Sequence, residues 1–222
     1  MKYDNILKAK FVSRPNRFIA HIDIDGNIET VHVKNTGRCK ELLIPGCFVY
    51  ITEPKTKGRK TKYDLVAVEK SNGFLINIDS QAPNKVMKQW LRDQNFDKII
   101  PEYTYGNSRI DFYAEKGLQK FLIEVKGCTL EVNGIGYFPD APTQRGIKHI
   151  YELIKAHKEG YMAMLVFVVQ MDGITEVRPN LNTHLEFGIV LEEAKKMGVK
   201  VCTLPCHIEP DKIIYKENLI EL

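Results

Sequence analysis

The chain contains no apolar run long enough to cross a bilayer, and Met1 to Lys8 show no apolar core of a secretory signal. A cytoplasmic location without a membrane partner is therefore expected. Cysteine is scarce and odd in number, with five residues at 39, 47, 128, 202 and 206. At 222 residues, one large domain or two modest ones can form a core without staples, so reduced thiols fit better than a disulfide framework. A Gly-rich phosphate loop and a dinucleotide fingerprint are both missing, which argues against nucleotide-driven chemistry. Internal repeats and low-complexity tracts are missing too. What remains is ordinary for a soluble globular protein: 44% hydrophobic and 27% charged residues.

The net charge of +4 is unevenly placed. Residues 1–80 carry 14 Lys+Arg against 9 Asp+Glu, and the remainder 18 against 19. Much of the excess is one run, Lys55, Lys57, Arg59, Lys60 and Lys62 around Gly58. Such a run reads either as a solvated loop or as a phosphate-contacting loop whose binding weakens with salt.

The first part of the chain reads as short strands. Residues 17–24 alternate up to the turn Asp25-Gly26-Asn27, and residues 28–33 return, a hairpin signal with Asp-Gly at its tip. Residues 47–51 and 63–69 flank the basic run, which places it in a hairpin loop, and residues 74–78 add a strand. About five short antiparallel strands suit an oligonucleotide-binding (OB) barrel. From residue 84 the pattern changes. Asn84 is read as the N-cap of a helix with Val86, Met87, Trp90 and Leu91 on one face, Trp90 being a core residue. Strands follow at 99–105, 109–114 and 120–125. Pro142 or Thr143 opens a helix with an apolar stripe of Ile147, Ile150, Tyr151 and Ile154. Residues 161–169 form a continuous apolar run, as in a strand buried on both faces. A helix at 183–198 and a strand at 199–203 close the chain. The expected division is 1–82 and 83–222.

The chemistry concentrates in Ser108-Arg109-Ile110-Asp111-Phe112 and Glu124-Val125-Lys126. Strand side chains alternate, so Glu124 and Lys126 share a face. A two-residue loop at Lys116-Gly117 would set 111 opposite 122 and bring Asp111 onto that face; an odd-numbered loop would separate the carboxylates. Carboxylates are hard ligands suited to Mg²⁺ or Mn²⁺, and a neighbouring lysine can orient a nucleophile or steady a transition state at phosphorus. The bland reading is a surface Glu/Lys alternation on a strand. The order helix, three strands, helix, strand, with Asp111 on the second strand and Glu-Val-Lys on the third, is the arrangement of the PD-(D/E)XK nuclease core.

Six motifs resemble the sugar fermentation stimulation proteins (SfsA). They are Arg14-Pro15-Asn16-Arg17-Phe18, Asn35-Thr36-Gly37-Arg38, Leu43-Ile44-Pro45-Gly46, Ser108 to Phe112, Glu124-Val125-Lys126 with Thr129-Leu130, and Phe138-Pro139-Asp140-Ala141. Thr143, Arg145-Gly146 and Lys148-His149 extend the last. The resemblance weakens toward the C-terminus, where Asn182-Thr183-His184-Leu185 replaces an acidic-proline pair, and Cys39 stands for the usual methionine. It implies an α/β protein: an N-terminal OB-like β-barrel followed by a PD-(D/E)XK nuclease-like domain with a mixed central sheet. It also implies largely non-specific DNA binding and a regulatory role in sugar, particularly maltose, metabolism.

Further residues carry two readings each. Glu102 is a third metal-ligand candidate or a solvated carboxylate. Arg109 contacts phosphate or pairs with Glu124. Asp140 caps the 143–157 helix or supports the site. Arg145, His149 and Glu152 face the cleft and touch DNA, or form a solvated helix face. Arg14, Asn16, Arg17, Asn35 and Arg38 include DNA-contact candidates in the barrel, alongside Lys55, Lys57, Arg59 and Lys60. Arg38 caps a carbonyl or pairs with Glu41 in the bland reading. Cys202, Cys206 and His207 hint at zinc, but no second cluster completes a tetrahedral set. The function expected is that of a DNA-binding protein with a Mg²⁺- or Mn²⁺-dependent nuclease site at Asp111, Glu124 and Lys126; the competing readings are a non-catalytic DNA-binding regulator on the same scaffold and a metabolite- or protein-binding module.

Overall fold

The computed structural model describes residues 1–35, 37–56, 58–216 and 218–222. Lys57, a candidate DNA contact, and Thr36 of the Asn35–Arg38 motif lie outside the described residues. Two compact units emerge. The first comprises Met1–Ala82, Gln170–Asp172 and Cys206–Ile214; the second comprises Pro83–Val169, Gly173–Pro205 and Tyr215–Leu222.

In the first unit, β1 (Ile6–Ser13), β2 (Ile19–Ile24), β3 (Asn27–Val33), β4 (Phe48–Thr52), β5 (Asp64–Glu69) and β6 (Leu75–Asn77) form one sheet. The parallel pairing of β3 with β5, at His32↔Asp64 and Val33↔Leu65, closes the ring β1-β2-β3-β5-β4 into an OB barrel. Alternation drives the closure. Ala9 and Phe11, Ala20 and Ile22, Val31 and Val33, and Val49 and Ile51 are buried, while β5 is buried along nearly its whole length. The expected β2–β3 turn is present: Asp25 (φ 50°) and Gly26 (φ 86°) are both left-handed, the type I′ geometry that matches strand twist. The basic run spans the β4–β5 connection, as the sequence predicts. Strand β1 is an addition to the expected set and supplies a neighbour for both β2 and β4.

The second unit has the order α1 (Ala82–Asp93), β7 (Lys98–Tyr105), β8 (Ser108–Lys116), β9 (Gln119–Cys128), then a small hairpin of β10 (Leu130–Val132) and β11 (Ile135–Phe138). There follow α2 (Gln144–Lys158), β12 (Met162–Val169), β13 (Val177–Pro179), α3 (Leu185–Lys196), β14 (Lys200–Glu209), β15 (Lys212–Tyr215) and β16 (Ile220–Glu221). The main sheet runs β15-β14-β12-β9-β8-β7, with β16 on β14. It is mixed: β7, β8 and β9 are antiparallel, whereas β9, β12 and β14 are parallel. This is the expected nuclease-like core, α1-β7-β8-β9-α2-β12. Strand β12 is buried on both faces, in keeping with its central position and apolar run. The small sheet β10-β11-β13 was not anticipated.

Local expectations are corrected at four points. Asn84 is not an N-cap, because α1 begins at Ala82 with Pro83 in its first turn, where a missing N–H costs nothing. Thr143, not Asp140, caps α2: its Oγ1 accepts from Gly146 N at 3.0 Å, and Asp140 is exposed. Tyr151 points outward at 48% exposure, and Leu153 takes the buried place beside Ile150 and Ile154. The β8–β9 turn is Gly117-Leu118 rather than Lys116-Gly117. Cys202, Cys206 and His207 lie on one strand, β14, where His207 points opposite to both cysteines; His207 Nδ1 meets Asp172 Oδ2 at 2.8 Å.

Phe167 on β12 is 1% exposed, packs against Phe138 at 5.4 Å between ring centroids, and lies in register with Lys126. Phe167→Ala should destabilise the second unit by about 3–5 kcal/mol. The fluorescence of Trp90, the single tryptophan and a member of that unit, reads this as an earlier urea midpoint.

Candidate metal and phosphodiester site

The ladder between β8 and β9 runs from Lys116↔Gln119 to Phe112↔Ile123 and stops there. Continued by one step it would set Asp111 opposite Glu124. The one-residue shift of the turn thus moves the partner of 111 from 122 to 124 and preserves the shared face, since 122 and 124 have the same parity. Where the ladder stops, the Asp111 carboxylate takes over: Oδ2 accepts from Val125 N at 2.8 Å, and Oδ1 accepts from Asn84 Nδ2 of α1 at 2.7 Å.

Glu124 is 2% exposed. Its Oε1 accepts from Lys126 Nζ at 2.5 Å and is in contact with His149 Nδ1 of α2. Its Oε2 is buried with no hydrogen-bond partner. A buried carboxylate oxygen left open is costly unless something positive fills the place. The electrostatics agree. Burial, and after it the charge of Glu124, pushes the Asp111 carboxyl above its ordinary value. Burial pushes Glu124 up as well, but the hydrogen bond from His149 and the charge of Lys126 outweigh it and hold that carboxyl below the ordinary range. Two acids facing each other, one with an open oxygen, fit a divalent cation.

Among the described residues, no group of three or more His, Cys, Asp or Glu side chains converges as a cation cage. Glu102, which carries φ 55° on β7, is exposed and paired with Arg109. Arg109 therefore pairs with Glu102 and not with Glu124. Two carboxylates with remaining positions left to water and phosphate oxygens is the manner of Mg²⁺ rather than of a cation needing an all-protein cage.

The helix α2 departs most from expectation. His149, predicted on an outer face as a DNA contact, is 5% exposed and turned onto Glu124. Arg145 is exposed, with Nε 3.5 Å from His149 Nε2. Glu152 is half-buried and receives Ser108 Oγ at 3.5 Å. The contacts to the two acids that the sequence reading did not give are thus those of Asn84 and the inward His149. A signal existed for the second, since Gly146, His149 and Leu153 follow the three-four spacing of a buried stripe.

In the barrel, several candidate DNA contacts are structural. Arg14 donates from Nη1 to the Arg38 carbonyl at 2.6 Å and from Nη2 to those of Arg17 and Asn35 at 2.6 and 2.7 Å. Asn16 Oδ1 accepts from Phe18 N and Ile19 N at 2.9 and 3.0 Å, shaping the β1–β2 loop. Asn35 Nδ2 donates to the Ile78 carbonyl at 2.9 Å. Arg59 forks onto the buried Asp64, which also meets His32 at 3.0 Å. Lys55 pairs with Asp4 at 2.7 Å on the surface. Arg17, Arg38 and Lys60 are exposed; the first two, with Lys40, rim a cleft of about 550 Å³ floored by Phe11, Leu43 and Pro45.

Known proteins align with this architecture along its whole length. A family model described as "Sugar fermentation stimulation protein RE domain" matches residues 81–212, and one described as "SfsA N-terminal OB domain" matches residues 12–78. A sugar fermentation stimulation protein homolog from Desulfitobacterium hafniense (strain DSM 10664 / DCB-2) is 53% identical over 216 residues, 96% of this chain and 94% of that protein. One from Clostridium beijerinckii is 53% identical over 217 residues, 96% of each. The solved structure of Pyrococcus furiosus SfsA in complex with Ca²⁺ is similar at a TM-score of 0.87 and 32% identity, covering 100% of this chain and 96% of that one.

The three carbonyl bonds of Arg14 need a planar fork that lysine lacks. Arg14→Lys should destabilise the barrel by about 1–3 kcal/mol. Denaturation followed by circular dichroism checks this; unchanged stability would return Arg14 to the ligand-contact set.

Proposed function

The chain belongs to the sugar fermentation stimulation (SfsA) family, and from that premise we propose that it binds DNA through its barrel and hydrolyses phosphodiesters at Asp111, Glu124 and Lys126 with Mg²⁺ or Mn²⁺. The observation that carries this reading is the buried, unpartnered Oε2 of Glu124 beside a second carboxylate whose proton affinity is raised by burial and by Glu124. The Ca²⁺ in the Pyrococcus furiosus relative supports a cation on this scaffold.

Asp111 and Glu124 would hold the ion, which would supply charge neutralisation at the phosphate and an acidified water. Asn84 and the Val125 N–H fix the plane of the Asp111 carboxylate, so that it need not reorganise when substrate arrives. Lys126 neutralises Glu124 until a phosphate oxygen comes within reach, and then offers its ammonium to the charge that builds there. Exposed Glu102 can join through water, and Arg109 beside it can meet a neighbouring phosphate. In the barrel, the β1–β2 and β4–β5 loops are those by which OB folds hold oligonucleotides. Exposed Arg17, Arg38 and Lys60 are suited to backbone phosphates, which carry no base readout and so give largely non-specific binding. Arg145, whose Nε lies 3.5 Å from His149 Nε2, is suited to the same task beside the acidic site.

Labelled single- and double-stranded DNA and RNA, incubated with Mg²⁺, Mn²⁺ or EDTA, test the site. Metal-dependent product should appear with the wild type and vanish in Asp111→Asn and Lys126→Ala, while retardation of DNA survives both. Retarded but uncut DNA under every ion would reassign the chain to non-catalytic DNA binding. Lys60→Ala should flatten the slope of log affinity against log salt by about one, the signature of one lost phosphate contact. An unchanged slope would remove the β4–β5 loop from the interface.

A further inference from the structure

We propose that His149 is a positioning residue that fixes the Glu124 carboxylate so that Oε2 is the oxygen presented to the cation. The inference rests on the cation-site reading above. Both donors that reach Glu124 meet the same oxygen: Lys126 Nζ from β9, at 2.5 Å, and His149 Nδ1 from α2 converge on Oε1. The other oxygen, Oε2, has no partner. A carboxylate held by a single flexible ammonium can pivot about its last bond. Two donors arriving from different elements define its plane. His149 is well suited to be the rigid one, because it is 5% exposed and seated in the buried stripe of α2 between Gly146 and Leu153.

The proton on His149 is placed by its neighbours. Arg145 directs its Nε–H at His149 Nε2 over 3.5 Å, so Nε2 serves as the acceptor. The hydrogen then sits on Nδ1, where Glu124 accepts it. The chain Arg145–His149–Glu124 orders the tautomer from the helix surface inward. Removing the imidazole leaves Lys126 as the single donor. The carboxylate can then rotate to offer both oxygens to that ammonium, which withdraws Oε2 from the cation.

Partners that orient a metal ligand typically govern affinity by about 10–100-fold. Calorimetric titration of Mn²⁺ into the full-length protein reads this without any turnover. The wild type should bind, and Asp111→Asn should lose binding. His149→Leu should bind about 10–100-fold more weakly. His149→Asn should recover most of the affinity, because its amide nitrogen occupies the place of Nδ1, a rescue that a merely space-filling histidine would not need. Equal affinity of wild type and His149→Leu overturns the proposal and leaves the cation site standing. Identical titrations of wild type and Asp111→Asn overturn the cation site itself, and the role of His149 with it. Should the leucine variant not fold, the two-bond ¹H–¹⁵N spectrum of the wild type decides. A proton on Nδ1 of His149 upholds the assignment, and one confined to Nε2 defeats it.

Discussion

The mutual repulsion of Asp111 and Glu124 is the constraint around which the second unit is arranged. Two carboxylates removed from water are costly unless each is offset, and the offsets come from different parts of the chain. Asn84 belongs to α1, the Val125 N–H and Lys126 to β9, and His149 to α2. Ending the β8–β9 ladder at Phe112↔Ile123 opens the place where they meet. The parallel step from β9 to β12 then explains why α2 exists there at all. A parallel connection needs a crossover, and this crossover carries the imidazole back over Glu124.

The barrel shows a division of labour among its cations. Arg14 and Arg59, the two with the most hydrogen-bonding at hand, are turned to carbonyls and to a buried aspartate. They shape the β1–β2 and β4–β5 loops. The side chains left at the surface, such as Arg17, Arg38 and Lys60, are short of fixed geometry but well placed for long-range attraction. Guanidinium forks are the better tool for holding loop carbonyls in place, whereas non-specific phosphate attraction asks only for charge.

Much of this was legible in the residues, and the misses have physical causes. Strong alternation and the Asp-Gly tip revealed β2 and β3, and the unbroken apolar run revealed β12. Strand β1 was silent because Lys8 and Lys10 line its outer side and only Ala9 and Phe11 are buried near the middle. Asp111, Glu124 and Lys126 stood out because two carboxylates and a lysine at strand spacing fell on the second and third strands of that core order, although a Glu/Lys alternation alone is common on strand surfaces. Their partners were hidden for opposite reasons. Asn84 resembles a cap, since a short amide before a helical stripe usually is one. His149 was assigned to the polar side because Tyr151 was counted as apolar and rotated the stripe by part of a turn. No sequence pattern announces the left-handed backbone at Glu102 or its ion pair with Arg109.

The first unit is assembled from three separated stretches, and this has a consequence for how the protein is made. Residues 1–82 leave the ribosome first, yet the Asn77 N–H bonds the Gln170 carbonyl at 2.9 Å, and Tyr3 N bonds that of Asp211 at 2.7 Å. Gln170 is translated only after the stretch Pro83–Val169 of the second unit, and Asp211 only after Gly173–Pro205 as well. The barrel strands can pair early, but these backbone bonds wait for residues 170 and 211. A nascent chain would thus carry an unfinished barrel, and a gene cut at the apparent seam would yield a first half without the stretches Gln170–Asp172 and Cys206–Ile214 that belong to it.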